Sequence, residues 1–279
     1  MRRLRLFCTI FIFLSALCSA RAQQMMRFAD SLSAAGEWGL AAALYEKIVY
    51  DGEPEMNLAL YKKSQCCMQS ANFADAVAAL DRISMFAIPA DMVTDVMYQK
   101  ALCNWLNGNA QTAATHIDEA FAMEDSAARG DVNLLAAMIY NECHRFEDGH
   151  AALKLWMGEN GISSECAAKV AKLYRHAHKK RSETAAMLLS VIPGAGHFYA
   201  GKVGEGLLSM VMNAAVISFG VTQFMNTLYL TCFIGAGLPL TYTYEGAANR
   251  ATELVAEGNT AHINSFNQKI ITTLTAEEP

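Results

Sequence analysis

Residues 206–225, GLLSMVMNAAVISFGVTQFM, and residues 228–244, LYLTCFIGAGLPLTYTY, contain no Asp, Glu, Lys, Arg or His. Glu205 and Glu245 bracket them, leaving 39 consecutive residues without such a side chain. One helical membrane crossing takes about 20 apolar residues. The stretch therefore has the length of two crossings joined by a very short turn, with spans near 205–223 and 227–245. Gln223, Asn226 and Thr227 are the turn candidates. Asn213, Ser218, Thr231, Thr241 and Thr243 are polar groups that can bond between helices or to backbone inside an apolar phase. Gly220, Gly235 and Gly237 allow two helices to approach closely, and Pro239 is expected to kink or end the second span. A hairpin buried in a soluble protein is the competing reading.

The rest of the chain supports the membrane reading. Hydrophobic residues make up 53% and charged residues 18%, against about 25% charged in an ordinary soluble domain. At the other end, Arg2, Arg3 and Arg5 precede the apolar run Leu6–Leu17, and Ala20-Arg21-Ala22 places small residues where a signal peptidase needs them. Residues 1–22 therefore read as a signal peptide cleaved before Gln23, with an uncleaved anchor as the other reading. Either one exports the chain that follows. Cleavage removes four arginines and no acid, taking the formal charge from −5 to −9. Nucleic-acid binding, which needs phosphate-neutralising cations, is not expected. Of the eight cysteines, six remain: Cys66, Cys67, Cys103, Cys143, Cys166 and Cys232. They form no C-x-x-C pair, and most read as small buried hydrophobes.

Between residue 23 and about 182, strand signals are nearly absent and strong helix formers dominate. Helices are expected near 24–35, 38–50, 55–70, 73–84, 91–107, 110–124, 131–146, 149–157 and 163–181. Three segments repeat: GEWGLAAALYEKIV (36–49), ANFADAVAALDRIS (71–84) and GNAQTAATHIDEAF (108–121). Each opens on a small turn residue, has alanine five residues on (Ala41, Ala76, Ala113) and a larger apolar residue four further (Tyr45, Leu80, Ile117). The alanines are 35 and 37 residues apart. Cys66 and Cys103 share a place five residues before the turn, and Cys143 is expected to repeat it in a degenerate fourth unit. The pattern resembles the second helix of tetratricopeptide repeats. Ser64 and Ala101 suit the small position that family keeps in its first helix. A non-repeating bundle remains the alternative. Stacked pairs of this kind present an extended surface to a protein partner. Tyr61, Gln65, Tyr98, Trp105 and Tyr140, on the first helices, are the partner-binding candidates, with inter-repeat core as their blander role.

Before the hairpin comes the string Pro193-Gly194-Ala195-Gly196-His197-Phe198-Tyr199-Ala200-Gly201, continued by Gly204 and Gly206. No strand precedes it and no Lys-Ser/Thr follows, so it is not a phosphate loop. It resembles the PGxGxxYxG signature of small membrane hairpins, including those called TM2-like domains. A similar form occurs in envelope proteins of the Bacteroidetes type that join a signal peptide, tetratricopeptide-like helices and such a hairpin. Pro193, Gly194 and Gly196 match the turn, Tyr199 and Gly201 the central pair, and Gly206 the start of the first span. Tyr244, Gly246, Ala247 and Asn249 resemble the stretch after the second span. The resemblance covers residues 184 to about 267. The motif itself reads as a tight, glycine-rich re-entry turn, with His197 as an interface residue and Phe198 and Tyr199 at headgroup depth.

The expected organisation is all-α: signal peptide 1–22, tetratricopeptide-like array 23–182, glycine-rich motif and two-helix transmembrane hairpin 183–246, and a polar tail 247–279 with helices near 247–257 and 260–274. No compact zinc pattern and no G-x-S-x-G elbow occurs, so no catalytic residue, metal or cofactor is expected. The expected function is a membrane-anchored protein-interaction scaffold of the bacterial envelope. It would sit in the inner membrane with its array in the periplasm, outer-membrane association being left open. It would bind lipid and an unidentified protein, with self-association compatible. The alternative is a hairpin-driven component assisting transport or protein insertion. Export leaves the cluster Arg175, Lys179, Lys180 and Arg181 on the outer side, against the positive-inside tendency.

Overall fold

A computed structural model describes residues 23–52, 55–122, 130–177 and 179–276. The signal peptide expected at 1–22 lies outside them. The described elements are all helical, with no strand among them. The chain divides into two compact units, one ending at Ile162 and one beginning at Ser163.

The first unit holds eight α-helices among its described residues: α1 (23–34), α2 (Trp38–Tyr50), α3 (Met56–Gln69), α4 (Phe73–Asp81), α5 (Ala90–Leu106), α6 (Ala110–Phe121), α7 (Gly130–Glu142) and α8 (Phe146–Glu159). A short 3-10 turn, Met85–Ala87, lies between α4 and α5. From α2 on, packing is mainly between helices consecutive in sequence.

Four turns share one geometry. Each first helix ends on a residue with positive φ: Gly36 (82°), Ala71 (55°), Gly108 (82°) and His144 (58°). The next N–H then reaches back into the helix: Glu37 to Leu32 O (2.9 Å), Asn72 to Cys67 O, Asn109 to Asn104 O and Arg145 to Tyr140 O (each 2.8 Å). This Schellman arrangement satisfies carbonyls the helix end would leave bare. Counting from those four residues, the same kinds of side chain recur. Seven before stand Ala29, Ser64, Ala101 and Ala137, all fully buried. Five after stand Ala41, Ala76, Ala113 and Gly149, all buried. Nine after stand Tyr45, Leu80, Ile117 and Leu153, all buried. Small buried residues on both helices permit a close crossing, and the large one a turn later is buried beside it. At the fourth crossing a Cβ on Gly149 would lie 3.2 Å from Ala137 O and 2.5 Å from Asn141 Oδ1.

This corrects two expectations. The helix expected at 131–146 ends at Glu142, and α8 begins at Phe146 rather than 149. Cys143 does not share the place of Cys66 and Cys103; it directly precedes the turn residue, its thiol 3.4 Å from Ala110 O. The equivalent place is filled by Ile139, fully buried. Cys66, Cys67 and Cys103 are buried free thiols. Burial pushes the Cys103 thiol up to about 11, which suits packing rather than thiolate chemistry.

Ion pairs follow the same register. Glu46, Asp81 and Asp118 each come directly after the large buried residue. Lys63 reaches Glu46 (2.8 Å) and Lys100 reaches Asp81 (2.9 Å), each lysine preceding the small residue of the following first helix. Arg82 adds a second cation on Glu46 (2.9 Å). At Asp118 the cation is Arg145 (2.7 Å), joined by the Tyr140 hydroxyl donating at 2.6 Å. Burial pushes the Asp118 carboxyl up, but bonds from Arg145 and Tyr140 outweigh it and hold the group below its ordinary value. Its contribution to stability is therefore present above pH 3.8 and is lost as pH falls through the depressed folded value.

Ala71 and His144 are the two turn residues of the four that carry a Cβ, and the left-handed region costs such a residue about 1 kcal/mol that glycine avoids. Ala71→Gly is expected to raise stability by up to about 1 kcal/mol, read as a higher denaturation midpoint. An unchanged or lower midpoint would remove this account of the turns.

The second unit contains α9 (Ser164–Arg175), α10 (Glu183–Leu189), α11 (Ala195–Tyr199), α12 (Val203–Met225), α13 (Tyr229–Cys232), a π turn (Phe233–Gly237) and α14 (Leu238–Thr275). The array was expected to run to 182 with a helix over 163–181. Instead α9 ends at Arg175 and packs on α14: Cys166 Sγ lies 3.4 Å from Thr273 O, and the Tyr174 and Phe266 rings meet edge to face. The tail is one helix rather than two. Its buried positions Ala251, Leu254, Val255, Asn259, Ile263, Asn267, Ile270 and Leu274 form a stripe at helical spacing. Pro239 does not end the second hairpin helix. It falls at the start of α14, where the π turn before it has already altered the hydrogen-bond ladder a proline would break.

Candidate membrane hairpin and the cleft at its base

Two helical arms run antiparallel. Glu205 pairs with Arg250, Asn213 bonds Thr243, and Gly220 faces Ala236, so residue numbers rise on one arm as they fall on the other. Of the three turn candidates, Gln223 lies inside α12, and Asn226 and Thr227 form the turn. α12 ends at Met225, Asn226 caps it, and Thr227 has φ 60°. Small residues set the spacing. A Cβ on Gly220 would lie 2.8 Å from that of Ala236, and one on Gly235 would lie 2.6 Å from the Phe219 ring.

Of the described helices, Val203–Met225 alone is long and apolar enough to cross a membrane, with a mean hydropathy of 1.6 in its best window. At about 1.5 Å per residue its 23 residues span about 35 Å. Only 11% of that window is buried. The returning arm is helical from Tyr229 but divided by its π turn, and it too exposes Leu230, Phe233 and Ile234. Before the motif, Met187, Leu188, Val191 and Ile192 face outward as well.

The glycine-rich motif forms the base of the hairpin. Gly194 has φ 83° and opens α11; a Cβ there would collide with the Gly206 carbonyl. A Cβ on Gly196 would strike Ser190 Oγ and sit 2.6 Å from Ala186 O and 2.9 Å from the Ala251 Cβ. One on Gly206 would meet the Phe198 ring at 2.5 Å. These glycines let α11 meet the backbone of α10 and α12 and the Ala251 side chain of α14. Gly201, with φ 83°, ends α11, and Lys202 N bonds His197 O (2.9 Å). Pro193 lies in the turn that precedes Gly194.

The aromatics play different parts. Tyr199 packs against the small core of Ala186, Ala200, Ala251, Leu254 and Val255, and its hydroxyl accepts from Ser182 N (3.0 Å). Phe198 covers Gly206 and stays partly exposed. His197, expected at an interface, is buried at 4% exposure. Arg181, one of the four cations of the basic cluster at 175–181, is held by its backbone. Asn259 of α14 accepts from its N–H (3.0 Å) and donates to its carbonyl (2.9 Å), while its guanidinium bonds Ala200 O (3.1 Å).

Between α11, α12 and α14 lies a cleft of about 280 Å³, lined by His197, Glu205, Leu208, Ser209, Met212, Asn213, Tyr242, Thr243, Gly246 and Ala247. Thr243 donates to Asn213 Oδ1 (2.9 Å), and Asn213 donates to Ser209 O (2.8 Å). His197 Nδ1 and Ser209 Oγ are buried without a hydrogen-bond partner. The sequence offered no signal for this cleft beyond the polar interruptions of the spans. Among the described residues no three His, Cys, Asp or Glu side chains converge as a metal site would need.

On the first unit, Tyr61 and Tyr98 stand at one place, ten residues before their turns. Gln65 and Trp105 lie one and two helical turns along the same face. Tyr61 accepts from Gln99 Nε2 (3.0 Å), and Trp105 bonds Glu142, whose carboxyl burial raises above its ordinary value. Gln65 is exposed; Tyr61, Tyr98 and Trp105 are half-buried. Tyr140 departs from the group. It is 3% exposed, bonded to Asp118 and stacked under Arg145 at 4.3 Å, so it belongs to the core.

The chain matches no protein-family model, no curated protein and no solved structure.

Proposed function

We propose that this chain is a membrane-anchored interaction scaffold of the bacterial envelope. In this reading 203–225 and 229–245 cross the bilayer as a hairpin, and the four helix pairs of the first unit act as tetratricopeptide-like repeats that dock a partner protein. One observation carries the anchoring: a 23-residue apolar helix with 11% of its best window buried. A core helix of a soluble protein would hide that surface, and apolar patches this long are unstable in water. The outward apolar residues of α10 extend the same surface toward the interface. Docking rests on Tyr61, Gln65, Tyr98 and Trp105, which share a face across consecutive units and combine aromatic area with polar groups.

Fractionation with carbonate washing tests the anchor. The full-length protein is expected to stay with the membrane pellet, and N-terminal sequencing to begin at Gln23. Protein recovered in the cytosol with Met1 attached would end the proposal. For docking, the intact protein and a Tyr98→Ala/Trp105→Ala variant are captured after mild solubilisation. The variant is expected to lose its principal partner at least tenfold. Equal recovery would move the working surface to the hairpin, as an assisting membrane component would have it.

A further inference from the structure

We propose that the cleft between α11, α12 and α14 seats one acyl chain of a glycerolipid, its ester carbonyl bonded by Ser209 and His197. The inference rests on the hairpin lying in a bilayer.

Two features point to an acyl ester. The walls include Leu208, Met212 and Tyr242, each at least 50% exposed, so the cleft opens on the apolar outer surface of the hairpin. A ligand reaching it from lipid arrives without crossing water. Two of the cleft's lining residues each bury a polar atom without a partner, Ser209 Oγ and His197 Nδ1. Burying such atoms unbonded is costly, and both can donate to a carbonyl oxygen, the imidazole through its Nδ1–H tautomer. Their neighbours are already committed, since Thr243 and Asn213 bond each other and Asn213 bonds Ser209 O.

Charge selects between an ester and a free acid. Glu205 lines the cleft and accepts from Arg250 Nε (3.2 Å), while Arg250 also holds Glu253 and Glu257. Three carboxylates around one guanidinium leave a net negative charge, which disfavours a bare fatty-acid carboxylate more than an ester whose headgroup phosphate is balanced by its own ammonium. A cleft near 280 Å³ is slightly below the usual ligand-pocket range of about 300–1,000 Å³, which suits part of one chain rather than a bulky group.

Gly246 supplies the test. It lines the cleft, and a Cβ there meets nothing within 4 Å, so Gly246→Phe brings a ring to the cleft with no clash at its Cβ. Full-length protein in mild detergent is titrated with dioleoylphosphatidylethanolamine, or with oleic acid, and followed by native mass spectrometry. The wild type is expected to retain one phospholipid. Gly246→Phe should lower its occupancy at least tenfold and Ser209→Ala at least threefold, at unchanged helicity, and oleic acid should bind at least tenfold more weakly than the phospholipid. Phospholipid retained equally by Gly246→Phe, or oleic acid bound as well as the ester, would overturn the assignment. Carbonate washing of the same proteins separates the two proposals, because a chain that stays in the pellet while showing no cleft-dependent lipid loses only this one.

Discussion

Gly196→Val is expected to collapse the base of the hairpin, at a cost of about 3 kcal/mol, while Gly204→Ala, at the start of the next helix, is neutral or slightly stabilising. The two glycines stand in the same motif and differ only in what surrounds them. At Gly196 a Cβ would lie 2.6 Å from the Ala186 carbonyl oxygen and 2.9 Å from Ala251. Ser190 Oγ, also in the way, can rotate, but a backbone carbonyl inside α10 cannot move without shifting the helix. The core it would disturb is built from Ala186, Ala200, Ala251, Leu254 and Val255, too little apolar area to absorb overpacking. At Gly204 nothing lies within 4 Å. Limited proteolysis reads the difference, since Gly196→Val should expose the segment around Arg181 that Asn259 now clamps. Equal protease resistance in both variants would mean the glycines serve the lipid contact rather than this packing.

The contrast also marks what the sequence could reveal. The apolar helix Val203–Met225 was legible because apolar length and absence of charge are local properties, and so was the turn at Asn226 and Thr227. Three of the four helix pairs were legible because glycine or asparagine marks their turns and alanine follows at a fixed distance. The fourth was misplaced because His144 takes the turn position and Gly149 the alanine position. Both do the physical job, but neither looks like its counterpart. The Glu46–Lys63 and Asp81–Lys100 pairs recur in the sequence too, yet charged residues are common on every helix and give no periodic signal of their own. Contacts between distant segments left no local trace. Nothing near residue 166 announces that Cys166 meets Thr273, nor near residue 181 that Asn259 holds Arg181. The single tail helix was hidden by Gly258-Asn259, which reads as a break. One exposed glycine costs a helix only about 1 kcal/mol, less than the buried stripe on either side contributes.

Leu153→Ala is expected to cost the first unit about 3 kcal/mol, within the 2–5 kcal/mol usual for truncating a buried leucine. Leu155→Ala, on the same helix, should stay within about 0.5 kcal/mol. Leu153 is fully buried and Leu155 is 54% exposed. The position matters because Leu153 is the fourth member of the series Tyr45, Leu80 and Ile117. If the helix pairs form a quasi-linear array, stability is approximately a sum of units and neighbour contacts. Damage at Leu153 should then appear first as faster amide exchange in α7 and α8, with α2–α4 protected until harsher conditions. Leu80→Ala, in the middle of the series, should instead loosen both flanks. Were both substitutions to raise exchange evenly over all eight helices, the unit would be one cooperative globule, and the repeated register would describe local geometry without an array behind it.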